Sequence, residues 1–103
     1  MSAQLLGTYR SRLSDADAEV RRIAVMELPY CDEDDFVDLA LAALSDTSPA
    51  VRAEAAKALE GIEEDAVVGA LAKALNDSEM PVREAAAASL SELKDPEIGR
   101  AHV

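Results

Sequence analysis

The chain has 103 residues, half of them apolar but only 3% aromatic, and its 21 acidic against 10 basic side chains give a formal net charge of -11. That is one domain's worth of chain with enough apolar content to fold alone, which excludes a multidomain enzyme and a disordered tail. The acidic excess argues against nucleic acid and anionic membrane surfaces, whose phosphates attract Lys and Arg.

Hydrophobic periodicity predicts helices over residues 3–13, 17–28, 33–44, 48–60, 64–75 and 79–93. In the second, Val20, Ala24 and Leu28 recur every fourth residue on one face, and Pro29 interrupts the pattern. Phe36, Val37, Leu39, Ala40, Leu41, Ala43 and Leu44 form the apolar side of the third. Ser48 before Pro49 suits the start of the fourth, and Gly61 its stop. Val67, Val68, Leu71, Ala74 and Leu75 mark the fifth; Ser78, shortly before Pro81, opens the sixth, which ends at Lys94-Asp95-Pro96. Ala55, Ala56, Ala86 and Ala87 are read as inward-facing, where small side chains let helix axes approach closely. Asp95-Pro96-Glu97 reads as one more helix start with almost no length after it.

Shifting the chain by 31 residues aligns Leu13, Leu44 and Leu75; Asp15, Asp46 and Asp77; Val20, Val51 and Val82; Arg21, Arg52 and Arg83; Ala24, Ala55 and Ala86; and Leu28, Leu59 and Leu90. Each unit is then a helical hairpin that must bury its apolar stripe on the next, so the predicted fold is all-α, an α-solenoid. The units are about 1–30, 31–61 and 62–93, with a truncated fourth at 94–103. The third hairpin lacks a polar outer face, so the chain is expected either to be a fragment of a longer array or to self-associate through that open end.

The segments LSDADAEVRRIAVMEL, LSDTSPAVRAEAAKAL and LNDSEMPVREAAAASL resemble HEAT repeats, most closely the short HEAT-like repeats of phycobilisome bilin lyases. The resemblance implies a right-handed superhelix whose second helices line the concave side. It also implies a structural ladder of Asp15, Arg21, Asp46, Arg52, Asp77 and Arg83 between adjacent units. The residues alone allow another reading, in which each Asp receives amides at the start of its own second helix.

A helical wheel puts Glu19, Arg22, Ile23, Met26 and Tyr30 on the exposed side of the first unit's second helix, with Glu54, Lys57 and Gly61 as counterparts in the second and Ala85, Ala88 and Glu92 in the third. Arg22, Ile23, Met26, Tyr30 and Lys57 are the candidate partner-binding residues, because an aromatic, a Met and an Arg on one face suit a binding hot spot. The alternative is that Met26 and Tyr30 cover the turn after Pro29. Asp32, Glu33, Asp34 and Asp35, with Asp38, and Glu63, Glu64 and Asp65, with Glu60, form an acidic edge. Such acids either complement helix N-termini or steer a basic partner.

No catalytic or metal constellation can be assembled, since His102 is the one histidine and Cys31 the one cysteine; Cys31, among acids, is expected to be an unreactive small apolar residue. The acidic loops lack the spacing of an EF-hand. No cofactor is expected. No apolar run approaches the roughly 20 residues that cross a bilayer, and Met1 to Leu13 lack the pattern of a secretory signal, so the expectation is a soluble cytoplasmic protein. The function expected is a non-catalytic module or scaffold for a protein partner. The resemblance supplies the alternatives: a bilin lyase-like or chaperone-like accessory acting on a tetrapyrrole-carrying partner, or a structural segment of a longer array.

Overall fold

A computed structural model describes residues 11–30 and 35–92. Among them, residues 11–13 are the end of a helix, followed by α1 (Ala18–Glu27), a 3-10 turn (Leu28–Tyr30), α2 (Phe36–Ala43), α3 (Pro49–Ala58), α4 (Asp65–Ala74) and α5 (Met80–Glu92), with no strand. The expected helices at 17–28, 33–44, 48–60, 64–75 and 79–93 are each present; where the described residues include both expected ends, at 17–28, 48–60 and 64–75, each end falls one or two residues inside, because capping positions lie outside the helical hydrogen bonds. The beginning of the first helix, Cys31, Asp32, Glu33, Asp34, the start at Asp95, the fourth unit and His102 lie outside the described residues.

Local chemistry sets the element ends. Asp17 caps α1, its side chain accepting from the Glu19 amide at 2.9 Å. Pro29 has no N–H, and the chain tightens there into the 3-10 turn instead of continuing α1. Pro49 occupies the first turn of α3, where a missing N–H costs nothing. After α3, Gly61 adopts φ 83°, a left-handed conformation that a side chain would strain.

The helices form two layers. α3 packs on α1 to one side and on α5 to the other, making one layer; α2 lies on α3, α4 on α5, and α2 touches α4. α3 is accordingly buried at Val51, Ala53, Ala55, Ala56 and Ala58, four of them alanines. The large anchors between layers are Leu28, Leu59 and Leu71, with Val25, Val51, Val67 and Val82, all fully buried. Each such side chain contributes roughly 1.5–3 kcal/mol on burial. Ala55, Ala56 and Ala86 face inward, but Ala87 is exposed: α5 turns Ala85, Ala86 and Ser89 toward α3, and Ala87 points away from that contact. The contact with α3 also buries Ala85, which the wheel puts outside.

Candidate functional site

The units are joined by paired charges. The Nε and Nη2 of Arg21 donate to Oδ2 and Oδ1 of Asp46 at 2.9 and 3.0 Å, and Arg52 grips Asp77 in the same way at 2.9 and 3.1 Å. Such two-pronged contacts hold geometry as well as charge. The third nitrogen of each guanidinium turns back to its own loop: Arg21 Nη1 donates to the Asp15 carbonyl at 2.7 Å, Arg52 Nη1 to Asp46 at 2.8 Å, and Arg83 Nη1 to Asp77 at 2.8 Å.

Each aspartate also serves its own unit. Asp15, Asp46 and Asp77 accept through Oδ1 from the amides of Asp17, Ser48 and Glu79 at 2.8, 2.8 and 3.0 Å. One carboxylate thus fixes the loop before its second helix and, in Asp46 and Asp77, receives the preceding unit's arginine. Ser48 caps α3 by position alone, its hydroxyl making no cap bond, because Asp46 already holds that turn. The two ends differ: among the described residues Asp15 meets no arginine fork and Arg83 no carboxylate.

Electrostatics follow the contacts. Burial pushes the Asp46 carboxyl up, but hydrogen bonds from Arg21 and the Ser48 amide outweigh it, and its pKa falls below the ordinary value. The Arg52 hydrogen bond likewise lowers Asp77. Arg21 and Arg52 are raised by their bonds to Asp46 and Asp77.

The proposed partner face is only partly open. Tyr30 is 89% exposed, Met26 41% exposed, and Lys57 is exposed, whereas Ile23 is half-buried. Arg22 is engaged: Nε donates to Glu19 at 3.0 Å, and Nη1 crosses to Glu54 on α3 at 3.3 Å. The hydrogen bond with Arg22 lowers the Glu19 carboxyl, and Arg22 is raised in turn. Of the acidic edge, Asp35 is half-buried and Glu63, Glu64 and Asp65 are exposed; Asp35 and Glu64 stand at the N-caps of α2 and α4, yet neither side chain makes a cap hydrogen bond.

The sequence did not reveal four features. Ser89 is buried, its hydroxyl donating to the Ala56 carbonyl of α3 at 2.6 Å. Beside it an open cleft of about 320 Å³ lies between α3 and α5, with Ala53, Lys57 and Glu60 on one side and Glu84, Ala85 and Ala88 on the other. On and just after α4, Val68, Ala72 and Leu75 are exposed along one stripe, while Val37, Leu41 and Leu44, their counterparts 31 residues earlier on and just after α2, are half-buried. A smaller hollow of about 200 Å³ beside the Arg21–Asp46 pair is walled by Leu13, Val25, Leu39 and Val51.

A family model described as HEAT repeats matches residues 8–91, most of the chain and all the paired units. This chain is a HEAT-repeat protein. The match is to HEAT repeats as a class and does not single out the bilin-lyase type. HEAT repeats generally mediate protein–protein interaction or scaffolding, and the family is generally non-enzymatic. No curated protein matches the chain. Among the described residues, no group of three or more His, Cys, Asp or Glu could hold a metal ion, and no helix is long and apolar enough to cross a membrane.

Proposed function

We propose that this HEAT-repeat chain is a non-catalytic protein-binding module or scaffold that offers the exposed side of its second helices as a rigid surface. Tyr30, Met26 and Lys57 supply contact area there, with Ile23 and Arg22 behind them. The acidic edge, Asp32 to Asp35 with Glu63, Glu64 and Asp65, steers a basic partner. The observation that carries this reading is Tyr30: an aromatic left 89% exposed at the end of the 3-10 turn that follows α1, near the partly exposed Met26. The two arginine–aspartate pairs support rigidity, since each locks one unit's loop to its neighbour.

The test is affinity capture from native extract with the wild-type chain and Tyr30→Asp, at low and high salt, alongside far-UV circular dichroism. A defined protein retained by wild type and lost by a fully helical Tyr30→Asp is the expected result. Equal retention by both would remove Tyr30 from the surface. Weakening in high salt assigns the steering role to the acidic edge.

A further inference from the structure

The contacts α1/α3 and α3/α5 are equivalent under the 31-residue shift, but their surfaces differ. Over the first, Arg22 reaches from α1 to Glu54 on α3. Shifted by 31, Arg22 becomes Ala53 and Glu54 becomes Ala85, and Glu19, which also holds Arg22, becomes Ala50. The charged bridge that closes the first contact is therefore deleted from the second, and the cleft of about 320 Å³ stands where it would lie. The alanine floor is apolar, and the rim carries Glu60, Glu84 and Lys57. Among the described residues none of these three forms an ion pair, so the rim has two uncompensated carboxylates against one ammonium.

We propose that this cleft receives an arginine side chain presented by a protein partner. The methylene stem lies along Ala53, Ala85 and Ala88, and the guanidinium meets Glu84 and Glu60, as Arg22 meets carboxylates over the first contact. The argument rests on the protein-binding reading and adds to it a position and a chemistry. An arginine fits better than a lysine because its weakly hydrated planar head engages two carboxylates at once, while its stem covers apolar surface.

The experiment is a ¹⁵N chemical-shift titration of the full chain with an acetylated, amidated heptapeptide of alanine bearing one central arginine, and with its citrulline analogue. The expected result is saturable shifts at the amides of Ala53, Lys57, Glu84, Ala85 and Ala88, with citrulline binding about tenfold more weakly. Glu60→Gln with Glu84→Gln, both exposed, should reduce binding by a similar factor. Ala53→Arg with Ala85→Glu, which copies the first contact's bridge into the second, should abolish the shifts; if that variant fails to fold, the glutamine pair decides. Equal response to citrulline, unchanged binding in the glutamine pair, or no shifts at the cleft would each overturn the proposal. Shifts confined to Met26 and Tyr30 would overturn it while leaving the protein-binding reading intact.

Discussion

Between α1 and α3 the surface is closed by Arg22 reaching Glu54, whereas between α3 and α5 the matching positions are alanines, and an apolar hollow stays open. Beneath that difference the two contacts are built alike: Arg21 grips Asp46 and Arg52 grips Asp77 with the same atoms and nearly the same distances. Positions that recur in every unit join the units; positions that do not recur decide what the surface offers. A partner would therefore tell one end of this short stack from the other through residues outside the repeated pattern.

The largest effect should come from breaking what the two contacts share. Asp46→Ala removes both the Arg21 fork and the acceptor of the Ser48 amide, and should cost about 2 kcal/mol in chemical denaturation, with Asp77→Ala close behind. Both carboxyls titrate below their ordinary values in the folded protein, so the stability they supply is full above the normal carboxylate range and is lost as pH falls through their lowered values. Unfolding midpoints measured down the acid range should show this loss, and Asp46→Asn should flatten the curve. A pH-independent wild type would sink the assignment.

Smaller changes separate the two contacts. Ser89→Ala removes a bond made only across α3/α5 and should cost about 1 kcal/mol, read by the same denaturation. Gly61→Ala, at φ 83° with open space around the added carbon, should also cost about 1 kcal/mol through backbone strain alone. Gly69→Ala, inside α4 and equally unobstructed, should instead stabilise by about 0.8 kcal/mol, a control that touches neither contact. Arg22→Ala should have the least effect, confined to α1/α3 and reduced in high salt, because Glu19, the partner Arg22 holds most closely, faces solvent, and the contact with the largely covered Glu54 is longer, at 3.3 Å. A large, salt-insensitive loss there would mean that the bridge holds the first two units together.

The fold was legible in the sequence because Val20, Ala24 and Leu28, with their counterparts, repeat a helical period whose burial any hairpin stack requires. Asp46 and Asp77 each hold an amide of their own loop and a guanidinium of the preceding unit at once, which a carboxylate allows because it has two oxygens and enough lone pairs for both, while Asp15 holds only the amide among the described residues. Ala87 is exposed and its counterpart Ala56 buried because α3 has a second helix on each side, whereas among the described residues α5 has one on the α3 side alone, and a wheel drawn on one helix does not count its neighbours. Ser89 was missed although it stands where the other frames have Glu27 and Ala58, an odd choice for a buried position without a partner. The cleft was illegible for another reason. It comes from side chains that are absent at Ala53 and Ala85, and that absence has meaning only once α3 and α5 lie side by side.

Each unit offers an aspartate backwards and an arginine forwards, so the unit of construction has a male and a female end. Duplicating residues 46–76 would insert another whole unit in which each guanidinium still found a carboxylate, with no new joint to invent. Length in such an architecture is a free variable, adjustable by gene duplication in steps of one hairpin, while each added hairpin brings fresh surface positions that the joint leaves unconstrained.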